Sequence, residues 1–366
     1  MNQKKPLSLN NLPTIVYVLD FIFWKKPIIR SFLQDHELRY VNNINLVPEN
    51  ATLAVWGNRK FDNNVIENKK ISLLRVEDGF LRSVGLGVDL IRPVSWVIDS
   101  RGIYYDATCI SDLERYLQTT DFTPPLLERA NKLRERIVEN ELTKYNVGTR
   151  GAGDNALSEL RAKAKDRRIL LVPGQVETDA SIAYGAPEIR HNMTLLQAVR
   201  EKHADAYIVY KPHPDVVAGL RVKGEHENHA QNWCDEIVTD RTMGELLKEV
   251  DEIHVLTSLT GFEALLRGKK VTCYGQPFYA GWGLTTDVVP ISRRTRCLSL
   301  DELVAATLIL YPAYVSRTTD CYITAEQAVD ELLEWRSIAA ELPRWRKAIR
   351  PLRRMIRPLL NAIGIR

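Results

Sequence analysis

Residues 252–274 read E-I-H-V-L-T-S-L-T-G-F-E-A-L-L-R-G-K-K-V-T-C-Y, and this stretch decides the fold. Its first part is a short apolar strand, Gly261 to Arg267 has the apolar spacing of a helix, and K-V-T-C-Y is a second strand. A strand that returns as a strand through one helix runs parallel to its predecessor. The same alternation occurs upstream, with R-I-L-L-V-P-G at 168–174, a helix around 192–203, A-Y-I-V-Y-K-P-H at 206–213 and a helix around 242–250. The series predicts a doubly wound α/β sheet, whose ligands gather at the C-terminal ends of the strands. Three polar clusters fall there: Gln175–Ser181, Lys211–Asp215 and Thr257–Glu263.

The first half follows a similar plan. A-T-L-A-V-W-G at 51–57 and I-S-L-L-R-V at 71–76 read as buried strands, the second running into E-D-G-F-L-R-S. Two strand-like runs in V-S-W-V-I-D-S-R-G-I-Y-Y-D, residues 94–106, predict a hairpin about Ser100–Gly102. Residues 124–145 carry helical spacing, and the Gly-rich segment 148–156 reads as an interdomain linker. The expected boundaries are 1–155 and 156–335 for two domains, with a basic amphipathic segment at 336–366. A chain of 366 residues with 45% hydrophobic composition has room for two cores.

The net charge of +4 conceals an asymmetry. Leu342 to Arg366 holds eight Lys or Arg and no Asp or Glu, which leaves 42 basic against 46 acidic residues before it. Within 342–366 the cations are interleaved with Trp345, Ile349, Leu352, Met355, Ile356, Leu359, Leu360 and Ile363. That mixture suits an anionic membrane surface better than nucleic acid; a solvated basic end or a helix packed on its own protein is the structural alternative. The apolar run Ile15–Trp24 is too short to span a bilayer and no cleavable leader pattern precedes it, so the expected location is cytoplasmic, peripheral on the inner membrane. Five cysteines lie singly without CxxC or a His at ligand spacing, so neither a disulfide framework nor a zinc site is expected.

Lys211 and His213, set between Pro212 and Pro214, form a stiff cationic corner for a phosphate or carboxylate, although prolines after a strand are also plain turn chemistry. Ser258, Thr260 and the N–H groups of the helix they open make an anion site, and Gly261 lets a ligand approach the backbone. Glu263, placed in the first turn, would accept hydrogen bonds from ribose hydroxyls; a capping box from Thr260 to Glu263 is the structural alternative.

E-D-G-F-L-R-S-V-G-L-G, R-P-V-S-W-V-I-D-S-R-G-I-Y-Y-D-A-T, Q-V-E-T-D-A-S, K-P-H-P-D and S-L-T-G-F-E-A-L-L-R-G with P-F-Y-A-G-W-G-L-T occur in this order over about residues 14–330. Together they resemble the capsule polysaccharide biosynthesis proteins of the KpsC type, β-Kdo glycosyltransferases that move Kdo (3-deoxy-D-manno-oct-2-ulosonic acid) from CMP-Kdo. The type carries two such modules, and this chain has one. The resemblance implies a GT-B-like pair of Rossmann-type domains with a central cleft, a CMP-Kdo donor and a lipid-linked or growing glycan acceptor; with no Asp-x-Asp signature in the sequence, no metal or cofactor is expected. It implies that Lys211, His213, Ser258 and Thr260, with Gln175, hold the donor while Arg82 comes from the other domain. Asp179 falls at the motif carboxylate through which a Kdo–enzyme adduct forms, with helix capping as its structural alternative. Glu77 or His213 then deprotonates the acceptor hydroxyl. Phe278, Tyr279 and Trp282, threaded with Gly281 and Gly283, are expected to form a flexible loop with ring faces beside a sugar, or else a core. Other readings are a transferase of a different nucleotide sugar and a non-catalytic adaptor of a polysaccharide assembly complex.

Overall fold

The computed structural model describes residue 9 and residues 12–85, 91–144, 146 and 157–339. The segments 148–156 and 342–366 lie outside them. The chain forms a mixed α/β fold with two six-stranded sheets, each in its own compact unit. The first unit takes the described residues up to Ile103, with Lys144, Asn146 and those from Thr307; the second takes Tyr104–Thr143 and the described residues from 157 to Ala306.

In the first unit, β1 (Ile15–Leu19), β2 (Glu37–Val41), β3 (Thr52–Trp56) and β4 (Ser72–Asp78) are parallel, in the order β4-β3-β1-β2. β5 (Ser95–Asp99) adds antiparallel to β4. The other edge of β5 is filled by β12 (Pro312–Tyr314), again antiparallel. The hairpin expected at Ser100–Gly102 therefore does not form, because both edges of β5 are already occupied. Residues 102–106 are irregular: Asp99 Oδ1 accepts the N–H groups of Arg101 and Gly102 at 2.9 and 2.8 Å, while its Oδ2 accepts the Tyr311 hydroxyl at 2.8 Å. Trp96 lies in the core with Phe32 stacked at 4.8 Å.

The second sheet is wholly parallel. It comprises β6 (Ile169–Pro173), β7 (Tyr207–Lys211), β8 (Glu236–Ile237), β9 (Glu252–Val255), β10 (Lys270–Cys273) and β11 (Thr286–Asp287), in the order β11-β10-β9-β6-β7-β8. β6 and β7, I-L-L-V-P and Y-I-V-Y-K, are buried at every position, the pattern of strands covered on both faces. Crossover helices run at Asn192–Lys202, Met243–Glu249 and Leu259–Leu266, close to the ranges expected. Thr242 starts the second of these with a reciprocal capping box to Glu245.

The units divide the chain differently from the boundaries at 155 and 335. Tyr104–Thr143 clusters with the second unit, where Glu114 bonds Arg293 and Arg294 and Arg134 bonds Asp301. The stretch from Thr307 returns to the first because β12 completes its sheet. Among the described residues no helix is long and apolar enough to cross a membrane.

Candidate active site

In the second sheet β6 leads outward to β7 and β8, whereas β9, β10 and β11 build away on the other side of β6. The strand order thus reverses between β6 and β9, and the loops leaving these two strands flank the crevice in which such sheets bind ligands. The structure joins those loops. Gln175 Nε2 donates to Thr257 Oγ1 at 3.1 Å, and Thr257 N–H donates to Gln175 Oε1 at 2.9 Å. Asn192, opening a crossover helix, brackets the backbone of Gln175 with two further bonds. Gly174 N–H donates to the Lys211 carbonyl at 2.8 Å, tying in the loop after β7. A side chain at Gly174 would meet the Tyr210 hydroxyl at 2.6 Å, so glycine is required for this close approach. Gln175 therefore positions the crevice walls: its buried amide is bound to Thr257 at both ends instead of being offered to a substrate.

Asp179 sits at the N-cap of the helix Ala180–Gly185, but its carboxylate makes no capping hydrogen bond and it is exposed. The capping alternative thus accounts for its backbone and not for its side chain. His213 is the N-cap of the short helix Pro214–Val217, and its Nδ1 accepts the Asp215 N–H at 3.1 Å. A backbone N–H can only donate, so Nδ1 is unprotonated and the proton of the neutral ring is on Nε2. Burial lowers the His213 pKa, opposed by the charges of Asp215 and Asp179, which places Asp179 and His213 in one electrostatic neighbourhood. Lys211 is buried at the end of β7, with Nζ donating to the Arg241 carbonyl at 2.6 Å. Burial lowers its pKa as well, against Asp240 and Glu245.

The helix after β9 begins at Leu259, with Ser258 as N-cap accepting the Thr260 N–H at 3.2 Å. Thr260 is therefore not the cap, and Glu263 falls in the second turn, where neither a capping box nor the helix dipole holds it. Gly261 serves a different neighbour from the one expected. An added Cβ would lie 2.2 Å from the Tyr279 hydroxyl, so the glycine makes room for this ring.

Tyr279 and Trp282 are fully buried and do not present ring faces to a sugar. The Tyr279 hydroxyl donates to the Ser258 carbonyl, and Trp282 Nε1 donates to the Phe278 carbonyl at 2.8 Å. Arg294, itself buried and paired with Glu114, donates to the carbonyls of Pro277 and Ala280 at 2.6 and 2.7 Å. Asp287 accepts the Gly281 N–H at 2.8 Å, and the positive φ angles of Gly281 and Gly283, +82° and +80°, let the segment fold upon itself. The aromatic run is a knot bracing the Ser258 loop. Arg294, Glu114 and Asp287 carry this function without any local motif to announce them.

In the first unit, Glu77 and Asp78 end β4. Asp78 bonds Arg82 Nε at 2.6 Å and Trp96 Nε1 at 3.2 Å. Arg82 is 1% exposed and also donates to Ser83 Oγ at 2.8 Å, so its guanidinium is an internal brace and not a free donor toward a carboxylate. Burial, and secondly the charge of Asp78, push the Glu77 pKa up to about 7, against the pull of Lys25. The Lys25 ammonium lies over the Trp56 ring, and burial brings its pKa down to about 8.

The profile of the family described as "Capsule polysaccharide biosynthesis protein" matches residues 52–315, which include the whole second sheet and β3, β4, β5 and β12 of the first. This chain belongs to that family. Among its relatives, the capsule polysaccharide modification protein LipA of Neisseria meningitidis serogroup A is 43% identical over 88% of the chain. The lipopolysaccharide-processing protein LpsZ of Rhizobium meliloti is 38% identical over 87%. The chain spans 46% of the length of LipA and 74% of LpsZ. Two solved structures of Thermosulfurimonas dismutans KpsC are also similar, each over 87% of this chain and 98% of theirs. The β-Kdo 2,7 transferase is 40% identical with a TM-score of 0.69, and the β-Kdo 2,4 transferase 31% identical with 0.74.

Proposed function

We propose that this member of the capsule polysaccharide biosynthesis family is a retaining glycosyltransferase that moves Kdo from CMP-Kdo to a glycan or lipid-linked acceptor. The observation that carries the reading is Asp179, an exposed carboxylate with no capping hydrogen bond, whose charge acts on His213, in the loop after β6 near the strand-order reversal of a parallel sheet. The likeness to two Kdo transferases supports the substrate class. In the first displacement an Asp179 oxygen forms a bond to the anomeric C2 of Kdo while the C2–O bond to CMP breaks, and the electron pair leaves with the phosphate. The Nε2–H of His213 is a hydrogen-bond donor suited to that departing oxygen, and Lys211 adds positive charge. In the second, the acceptor oxygen bonds C2, the Asp179–C2 bond breaks, and the acceptor's proton goes to a base. With its proton on Nε2, neutral His213 is disfavoured for that role. The basic segment 342–366 would bring the enzyme to an anionic membrane surface carrying the acceptor.

The test is to trap the full chain with CMP-Kdo and map the adduct by peptide mass spectrometry. A Kdo increment on the peptide bearing Asp179, absent in Asp179→Asn, is expected. An adduct on another residue, or full transfer by the variant, sinks the assignment.

A further inference from the structure

At the N-terminal edge of the second sheet, the end opposite the polar loops, three side chains from two distant segments meet. Glu252 and His254 are two apart on β9 and so share a face, and His203 is the C-cap of the helix Asn192–Lys202. One ligand atom from each lies within 4.8 Å of those of the other two. The ring centres of His203 and His254 are 5.0 Å apart. His254 is fully buried, yet its Nδ1 has no hydrogen-bond partner, and its Nε2 lies 3.2 Å from Glu252 Oε1 without the geometry of a hydrogen bond. A buried imidazole left in this condition forgoes bonds that such groups ordinarily make. The Tyr274 ring, whose buried hydroxyl also lacks a partner, is 5.9 Å from His254.

We propose that His203, Glu252 and His254 bind one divalent transition metal, with zinc the best fit. Two imidazoles and one carboxylate are a ligand set that zinc takes with a fourth position left to water. Tetrahedral bonds of about 2.1 Å require ligand atoms about 3.4 Å apart, so the cluster closes by somewhat more than an ångström. His203 and Glu252 are incompletely buried and can turn by that amount. Around the ligands, Thr272 Oγ1 donates to Glu252 Oε1 at 2.9 Å and orients the carboxylate. The terminal carbonyls of the helix ending at Lys202 turn their negative partial charge toward a cation at His203. The opposing charge is Arg168, 3.4 Å from His203 Nδ1 and 3.8 Å from Glu252 Oε2; half-exposed, it has solvent to move into. Bound metal pins the end of the helix to β9 and stabilises the folded unit by mass action.

The test uses the full chain, stripped with chelator and titrated with Zn²⁺ or Co²⁺ against a Mg²⁺ control. One Zn²⁺ per chain, a melting temperature that climbs with Zn²⁺ and not with Mg²⁺, and the visible absorption of low-symmetry Co²⁺ are expected. His203→Ala and Glu252→Gln, which spare the buried ring, should each weaken binding at least tenfold while keeping the wild-type circular dichroism. No zinc bound by the wild-type chain, or equal affinity in both variants, overturns the proposal. None of these readouts depends on transferase activity.

Discussion

Asp179 and Glu77 are both carboxylates at the C-terminal edge of a sheet, and their surroundings give them different tasks. Asp179 is exposed and uncapped, so Asp179→Asn should fold normally and bind CMP as the wild type does. Its transfer rate should fall by several orders of magnitude, as read by calorimetry and a product assay side by side. Glu77 keeps its proton in the folded protein up to about pH 7, whereas an ordinary glutamate releases it near 4.5. The folded state then binds more protons than the unfolded chain across that window, and this group's contribution to stability declines as pH rises through it. Glu77→Gln should flatten that decline in denaturant titrations. The sequence placed Asp179 and His213 in loops after strands, and the structure leaves them there. It could not foretell which His213 nitrogen holds the proton, because that follows from the neighbouring Asp215 N–H.

Elements were legible wherever burial runs along consecutive residues, as in β6 and β7, since a strand covered on both faces must be apolar throughout. The segment 277–283 was harder, because glycines between aromatic rings suit a sugar-facing loop and a buried knot equally well. What decides between them is Arg294 and Asp287, whose bonds to 277, 280 and 281 leave no local pattern. The hairpin reading failed for a similar reason: the partner filling the second edge of β5 comes from residues 312–314. Two substitutions test the knot. Gly261→Ala drives a methyl group into Tyr279 and should cost about 1–3 kcal/mol; adding Tyr279→Phe, which removes the nearest atom, should return part of that loss in thermal melts. Glu114→Ala leaves the buried Arg294 charge without its carboxylate and should cost about 3–5 kcal/mol in chemical denaturation, with loss of donor affinity following the loosened Ser258 loop.

The described residues build two sheets, each with its own strand-order reversal, and the sequence carries a strongly basic segment at 342–366. Cutting after Glu341 should leave the melting transition in place while abolishing sedimentation with anionic vesicles; a truncated chain that still sediments would remove the segment from that role. The composition made two cores legible, but the sequence boundaries treated each as a single run of chain. The first sheet is instead completed by β12, which pairs with β5 only after the entire second unit has intervened. This has a consequence for biosynthesis. As the nascent chain leaves the ribosome, the outer edge of β5 emerges early and its partner only after the second unit. At roughly 5–20 residues per second, about ten to forty seconds pass with that edge unpaired, a row of open N–H and C=O groups able to recruit a neighbouring chain. The protein is thus most exposed to aggregation while it is being made, and folding helpers that shield this edge during translation should raise its yield more than helpers that act after release.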